Sequence, residues 1–454
     1  MLDPSPKFYM GDSRSYIATA VSGWIPPDRS FFYGYVIRWL AVWTSSLTPL
    51  LIFQTLVGAM TAIMVAAICT GAFGLPPLLS FAAGLACCFD PLQLLWERYV
   101  MTETISLFFY VAVLHFSFLY LKHRGLRHLA IAQGFSILLI GFRMSYLLVV
   151  QASAVLLPIL AFSPLLLTTW RSSQGDRGKR LRVMKLAFVH LLTSIALMVI
   201  LHGAYKQVNG LLCNREPGYL YATGFHLLAF WAPILTPADA SDQRLAQIIE
   251  EGDEFDIKDL TARNAQRFAP GHLVDRWQKV EQDRARANQI GKETALRALR
   301  RNPLQVLRLA AQTFAQYWSL KDLRHYGRID LGHDLTPEQI SILAERFHLA
   351  TDGRITNAPL TVLQHYLLLS WPYCYFLLLS PIVGVSAVYL AREKQLALLL
   401  LVHLVIILAV TFTFAVAPSF RYLQPASVLT LLTVALCLRA FLKSRSPETP
   451  ALSS

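Results

Sequence analysis

The sequence predicts an all-α polytopic membrane protein, and three observations lead to this fold class. Of its 454 residues, 55% are hydrophobic and only 15% are charged, whereas about a quarter of the residues in a soluble domain are charged. The apolar residues are gathered in runs of about 18 to 25, the length of helix that crosses a hydrocarbon core about 30 Å thick. Charged residues collect between these runs, so we expect several membrane-spanning helices.

Hydropathy along the chain predicts nine spans. They lie at about residues 47–70, 76–94, 103–121, 128–145, 146–170, 185–203, 366–391, 395–416 and 422–442. Short loops rich in Lys and Arg mark the cytoplasmic side of a membrane protein. Four segments have this character: 122–128, 171–185, 392–394 and 443–445. Because each span changes sides, all four face the cytoplasm only if the first 45 residues lie outside.

This topology divides the chain into five parts. Residues 1–45 form an extracytoplasmic first loop with a juxtamembrane helix, and residues 46–203 form the first part of a transmembrane bundle. The middle of residues 204–365 has helical spacing, so this region is predicted to form a small, mostly helical extracytoplasmic domain. The last part of the bundle covers residues 366–442, and a cytoplasmic tail, expected to be disordered, covers residues 443–454.

Composition also restricts the partners and cofactors. The formal net charge is +13, but many of the Lys and Arg residues lie in short loops and at helix ends, where orientation in the bilayer explains them. We therefore expect membrane lipid, and no nucleic acid, as a partner. The six cysteines and the histidines show neither a disulfide framework nor the spacing of a metal site, so both sets are interpreted as structural.

The predicted topology gathers ionisable residues at the outer ends of the spans, where charges are costly and often functional. Asp12 lies in the first outer segment, Glu103 opens the third span, Arg143 lies at a tight turn and Arg421 precedes the last span. A carboxylate can take a proton from an acceptor, and arginines can hold a departing phosphate in bidentate geometry. The set suits transfer from a phosphate-linked donor.

Each of these residues also has a structural interpretation, which the local sequence leaves open. Asp12 can form an Asx turn or cap a helix, and Glu103 can complement the dipole in the first turn of its helix. Arg143 and Arg421 each precede a tyrosine closely and can be interfacial anchors.

Weaker candidates complete the set. Asp90 can lie at the depth of a span or simply start a turn before Pro91. Glu97 can simply form an ion pair with Arg98. Both therefore rank below Asp12 and Glu103. The other two are Tyr16 and Tyr422.

An ordered series of short motifs resembles the C-type (GT-C) glycosyltransferase superfamily. The motifs are GDSRSY and IPPDRSFFYGY in the first segment, a TE pair that opens a span, FRM at a tight turn and SFRYLQP before the last span. The similarity is greatest to the bacterial lineage related to protein O-mannosyltransferases and to lipid A aminoarabinose transferase. It covers most of residues 10–170 and 290–442, and the order of the motifs is more specific than any one of them.

The resemblance implies a polyprenyl-phosphate sugar donor and inverting transfer to a glycolipid, a cell-envelope glycan or a protein bound from the outer face. It assigns the proposed base to Asp12, the acidic residue at a span start to Glu103, and basic residues near the phosphate to Arg143 and Arg421. Some relatives use a divalent cation, but no ligand set for one is identifiable here. Such enzymes normally begin with a membrane helix before the aspartate loop and have eleven or more spans, and that first helix is missing from this sequence.

The sequence therefore predicts a glycosyltransferase with a GT-C-like bundle in a bacterial inner membrane, with its active site facing the periplasm. Two other functions stay open. One is a flippase or transporter of lipid-linked sugars, which would be expected to show matched halves or interrupted helices near the bilayer midplane. The other is an enzyme like an O-antigen ligase or polymerase, which would use a pyrophosphate carrier.

Overall fold

The chain is almost entirely helical in a computed structural model that describes residues 5–171, 177–252, 259–332, 334–354, 359–414 and 418–445. Within these ranges there is no β-strand, only an isolated bridge between Lys7 and Tyr99. The predicted all-α class is thus confirmed. Most of the predicted disordered tail, residues 446–454, and residues 172–176 of one basic segment lie outside the described residues.

Nine α-helices occur in residues 5–171 and 177–213. They are α1 (Met10–Ser22), α2 (Phe32–Ile37), α3 (Thr48–Gly71), α4 (Pro77–Cys88), α5 (Pro91–Trp96), α6 (Glu103–His123), α7 (Leu126–Phe142), α8 (Leu147–Arg171) and α9 (Arg177–Cys213). A π-helical turn, Arg38–Val42, extends α2, and a 3₁₀ turn, Met144–Tyr146, precedes α8.

Thirteen further α-helices follow among the residues that the structure describes. Those of the second polar region are α10 (Thr223–Phe230), α11 (Gln243–Glu250), α12 (Leu260–Phe268), α13 (Leu273–Val280), α14 (Arg284–Arg301), α15 (Pro303–Tyr317), α16 (Leu320–Ile329) and α17 (Pro337–Phe347). The last five are α18 (Val362–Leu369), α19 (Trp371–Leu378), α20 (Ser380–Leu390), α21 (Lys394–Phe414) and α22 (Gln424–Arg445). Short 3₁₀ turns occur at Ala232–Ile234, Pro237–Asp239 and Phe420–Leu423.

Each of the nine predicted apolar runs is largely helical in the described residues, and the lengths of the helices support six or seven of the nine spans. Among the described helices, six are long and apolar enough to cross a membrane: Thr48–Gly71, Glu103–His123, Met144–Trp170, Arg177–Cys213, Lys394–Phe414 and Phe420–Ser444. A seventh run is the pair α19 and α20, which is bent by 48°. Helices α4 and α7 have 12 and 17 residues. At 1.5 Å per residue they are about 18 and 26 Å long, shorter than a hydrocarbon core of about 30 Å.

The two short helices end where a polar residue interrupts an apolar run. The predicted span 76–94 is divided because α4 ends at Cys88 and Asp90 caps a new helix, accepting hydrogen bonds from the backbone N–H groups of Leu92 and Gln93. Helix α7 ends before Arg143, whose backbone is extended. Hydropathy averaged over a window does not detect such interruptions.

A buried histidine joins three of the long helices. In His403 of α21, Nδ1 lies 2.9 Å from the Tyr110 hydroxyl of α6. Its Nε2 lies 2.8 Å from the Ser153 hydroxyl of α8. Both ring nitrogens therefore have partners, as a buried polar side chain requires. The structural interpretation of this histidine is confirmed.

Basic segments lie together at one end of the bundle. Lys122, at the end of α6, donates to the carbonyl of Gly71 at the end of α3, and Arg124 donates to the carbonyl of Ala161 in α8. The turn at residues 392–394 and the last turns of α22 line a common cavity of about 180 Å³. Since α3, α6 and α22 begin at the opposite end, three of the four predicted basic segments are at the end of the bundle away from Glu103 and Arg421.

The second polar region is helical and packs on the bundle. Its own core surrounds Trp277, which is fully buried and donates from Nε1 to the carbonyl of Ala287. Trp231 stacks on Phe414 of α21, with ring centroids 6.1 Å apart. Phe347 of α17 belongs to the main core of the bundle. The helical content predicted for residues 204–365 is therefore present, although α9 runs past residue 203 to Cys213.

The contact between α10 and α14 gives a test of this packing. A Cβ at Gly224 would lie 1.8 Å from the backbone carbonyl oxygen of Asn288, so Gly224→Ala must move the two helices apart. We expect it to destabilise the protein by about 1–3 kcal/mol, measured as a lower melting temperature in detergent. Gly203→Ala is the control, because no atom lies within 4 Å of its Cβ position. Equal melting temperatures for the two variants would contradict the close packing of α10 on α14.

Candidate functional site

The four leading candidates from the sequence meet at one end of the bundle, with Arg421 at the centre. Arg421 Nη1 lies 2.7 Å from Asp12 Oδ2, and Arg421 Nε donates to Glu103 Oε1. Arg143 Nη1 lies 3.6 Å from the same Glu103 oxygen. The structure therefore brings together residues from α1, α6, the α7–α8 turn and the turn before α22.

Local structure places each of these side chains. Asp12 is the third residue of α1 and Glu103 is the first residue of α6, so both carboxylates lie in a first turn, where the helix dipole favours negative charge. Asp12 is not a helix cap, because Tyr9 occupies that position. The extended backbone of Arg143 separates two helices, and the Ser419 hydroxyl accepts a hydrogen bond from the backbone N–H of Arg421.

Arg29 completes the site, and sequence reasoning did not identify it. Its Nη1 lies 2.6 Å from Asp12 Oδ1, and its Nε and Nη2 donate to the two oxygens of Asp28. The Tyr16 ring lies 5.5 Å from the Arg29 guanidinium, which places this predicted aromatic residue at the site. Arg29 lies in the IPPDRSFFYGY motif, but an Asp-Arg pair adjacent in sequence resembles an ordinary surface ion pair.

We call Asp12, Arg29, Glu103, Arg143 and Arg421 the charge cluster. Burial raises the pKa of Asp12, but the charges and hydrogen bonds of Arg29 and Arg421 outweigh burial and lower the pKa to about 2. Asp12 is therefore ionised throughout the physiological range and is a weak base while both arginines hold it. With the neighbouring Asp28, three guanidinium groups face three carboxylates, so the site balances its own charges.

Burial is graded across the charge cluster. The Glu103 side chain is fully buried, whereas those of Asp12 and Arg29 are 22% and 18% exposed. Asp12 and Arg29 therefore form the side of the cluster that a molecule from solution reaches first. Glu103 lies on the buried side of the cluster, where it contacts Arg421 and Arg143.

The weaker carboxylate candidates lie outside the cluster. Asp90 Oδ2 accepts hydrogen bonds from the hydroxyls of Ser427 and Tyr373, in addition to its capping contacts. Its capping contacts place Asp90 at the start of α5. Glu97 accepts a hydrogen bond from Gln93, and burial raises its pKa to about 7.

Two glutamines link Glu97 to the cluster. Gln93 Oε1 lies 3.4 Å from Gln424 Nε2, and Gln424 Oε1 lies 3.5 Å from Arg143 Nη1. Tyr422 lines a cavity of about 80 Å³ beside Arg143. Ligand pockets usually measure about 300–1,000 Å³, so this cavity is smaller than a typical ligand site.

A larger cavity, of about 500 Å³, lies between α1 and α17 on a neighbouring face of α1. Gly11, Arg14, Ala18, Trp24 and Ile342 are among its lining residues. Within the described ranges, no group of three or more His, Cys, Asp and Glu residues is arranged to hold a metal ion.

Comparisons with models of known protein families, with curated proteins and with solved structures find no match to this chain. The assignment to the GT-C superfamily rests on the ordered motifs alone and stays a prediction.

The ion pairs of Arg421 can be tested by substitution. Arg421→Met leaves the fully buried Glu103 with longer contacts to Arg143 and to the Thr102 hydroxyl, and loss of one partner of a buried pair costs about 3–5 kcal/mol. We therefore expect a large fall in melting temperature, and partial recovery in the double variant Arg421→Met/Glu103→Gln. Arg14→Met is the matched control. Its pair with Glu338 is 51% and 64% exposed, and such pairs contribute about 0–1 kcal/mol. A loss in Arg14→Met as large as that in Arg421→Met would refute the role of burial.

Proposed function

We propose that this chain is a GT-C-type glycosyltransferase that moves a sugar from a polyprenyl-phosphate carrier to an extracytoplasmic acceptor with inversion. The observation that carries the proposal is the charge cluster itself. Its five residues come from separate motifs, as far apart in sequence as Asp12 and Arg421, and they supply one accessible carboxylate and three arginines. This is the chemistry that transfer from a phosphate-linked sugar requires.

In this proposal the arginines bind the phosphate of the donor. Arg421 and Arg29 already hold carboxylate oxygens at 2.6 to 2.7 Å, and guanidinium groups bind phosphate oxygens with the same planar geometry. Arg143 adds positive charge behind them. Glu103 orients Arg421 from its buried side, so it is a positioning residue and does not contact the acceptor.

Asp12 is the base in this proposal, and donor binding activates it. A donor phosphate that takes over Arg29 and Arg421 releases both oxygens of Asp12. Without its two cationic partners the carboxylate becomes more basic. The acceptor hydroxyl oxygen then attacks the anomeric carbon, its proton passes to Asp12, and the bond from that carbon to the phosphate oxygen breaks with its electrons remaining on the polyprenyl phosphate.

The distribution of charge supports the proposed orientation. Three of the four basic segments lie at one end of the bundle, and the charge cluster lies at the other end, next to the second polar region. If the basic end faces the cytoplasm, the cluster and residues 204–365 face the periplasm of a bacterial cell. A lipid-linked donor presented on the outer leaflet then reaches the cluster from the membrane side.

A transporter of lipid-linked sugars is the second candidate. The bend between α19 and α20 favours it, because broken helices form the binding sites of many transporters. The described helices contain no second bent pair that is long and apolar enough to cross a membrane. The repeat architecture of transporters usually produces two such broken helices. Transport also gives no reason for a base at the accessible side of the cluster.

Transfer activity tests the catalytic assignment. Asp12→Asn is expected to lower the rate of transfer from a polyprenyl-phosphate sugar by about 10²- to 10⁴-fold, the usual contribution of a general base. Glu103→Gln is expected to lower the rate as well, because Arg421 loses its buried partner. The measurement uses purified protein and a panel of polyprenyl-phosphate sugars. Asp275→Asn is the control, since its carboxylate contacts Lys279 and the backbone N–H of Gly271 at the surface. Full activity in both cluster variants would rule out these roles.

Cysteine labelling of intact cells tests the orientation. Lys279→Cys lies at an exposed position of the second polar region, and Ser444→Cys lies at an exposed position in the last turn of α22. We expect a membrane-impermeant maleimide to label the first variant and not the second, with unsubstituted protein as the background. The reverse pattern would place the charge cluster in the cytoplasm and exclude a donor presented outside.

A further inference from the structure

Asp330 lies at the junction of three segments that meet beside the charge cluster. It follows α16 in the second polar region and is 1% exposed. Its Oδ2 accepts hydrogen bonds from the backbone N–H of Phe420 at 2.7 Å and from the Ser419 hydroxyl at 3.0 Å. Its Oδ1 accepts from the Ser419 hydroxyl at 2.8 Å and from the Tyr9 hydroxyl at 3.3 Å. One carboxylate thus holds the N-terminal segment and the turn before α22.

These contacts reach Arg421 by two routes. The first route is the backbone, because Ser419 and Phe420 immediately precede Arg421 and Ser419 also accepts from its N–H. The second route is the Tyr9 ring, whose centroid lies 4.9 Å from the Arg421 guanidinium carbon. Asp330 therefore holds the backbone that leads into Arg421. It also holds the Tyr9 ring, against which the Arg421 guanidinium lies.

We propose that Asp330 is a positioning residue that aims the Arg421 guanidinium at the donor phosphate. The inference rests on the proposed function and deepens it, because it names the contact through which the second polar region acts on phosphate binding. A guanidinium is planar and binds a phosphate best through two parallel hydrogen bonds. Its orientation therefore controls how tightly it binds a phosphate. If Asp330 only joined α16 to the bundle, its substitution would change stability and leave the affinity of the folded protein for phosphate unchanged.

The charge state of Asp330 gives a second readout, the pH dependence of phosphate affinity. A purely structural contact would leave this dependence unchanged. An ionised carboxylate accepts all of these hydrogen bonds, whereas a protonated one must donate from one oxygen. Burial raises the pKa of Asp330 to about 6, against the opposing effect of its hydrogen bonds and of Arg421. Asparagine resembles the protonated form in shape and in charge. The titratable or charged groups that face Asp330 are those of Tyr9, Tyr317, Cys374, Arg421 and Tyr422.

Binding of farnesyl phosphate to the full chain in detergent tests the inference, with farnesol as the uncharged probe. We expect wild type to bind the phosphate more tightly than the alcohol. Asp330→Asn is expected to weaken farnesyl phosphate binding about tenfold, the effect of about one hydrogen bond to a charged group, and to leave farnesol binding unchanged. Tyr9→Phe, which removes one hydroxyl, is expected to weaken phosphate binding about threefold.

Two comparisons separate positioning from a loss of stability. Asp239→Asn removes another buried aspartate of the second polar region, which pairs with Arg301 far from the cluster in sequence, and it is expected to leave phosphate affinity unchanged. The ratio of wild-type to Asp330→Asn affinity is expected to approach one as the pH falls below about 6. The titration of the probe cancels in this ratio.

Each outcome supports or overturns a defined claim. Equal wild-type affinities for farnesyl phosphate and farnesol would overturn the proposed function and this inference with it. A wild-type preference for the phosphate that is retained in Asp330→Asn would overturn the inference alone. If Asp330→Asn does not fold, unchanged phosphate affinity in Tyr9→Phe would overturn the inference instead.

Discussion

The Arg421 side chain, which is 12% exposed, organises this protein. Arg421 pairs with Asp12, 409 positions away in sequence, and with Glu103, 318 positions away. A charge taken out of water is stable only with a well-placed opposite charge, so these pairs require the N-terminal segment, the start of α6 and the start of α22 to meet. The second polar region is held to the same point, because Asp330 contacts the turn that carries Arg421. The ends of the chain and its middle are therefore arranged around one side chain.

The same constraint connects the structure to the proposed chemistry. In the unliganded cluster each carboxylate offsets an arginine, and the side chains leave little free volume between them. An arriving phosphate can occupy the arginines only by releasing a carboxylate, and the carboxylate nearest the accessible side is Asp12. Substrate binding and activation of the base are then one event, so a strongly held aspartate with a low pKa is compatible with general-base catalysis.

The fold class and the helical second region were predicted because they depend on hydropathy and on helical spacing. The convergence of four charged residues was predicted because successive spans alternate in direction, so that alternate span ends lie on the same side of the membrane. The interruptions of apolar runs at Asp90 and Arg143 were not predicted, since they depend on local capping and backbone conformation. Arg29 was missed because its pair with the adjacent Asp28 resembles a surface ion pair, and Asp330 was missed because its partners are distant in sequence. The same limit applies to Tyr9, whose ring supports Arg421.

A structure with a bound polyprenyl phosphate, determined at a resolution that shows side chains, tests the central claim most directly. We predict that the phosphate lies within hydrogen-bond distance of Arg421 and Arg29, and that the Asp12 carboxylate has moved away from both guanidinium groups. A phosphate bound elsewhere, with Asp12 still paired to Arg29 and Arg421, would contradict the account.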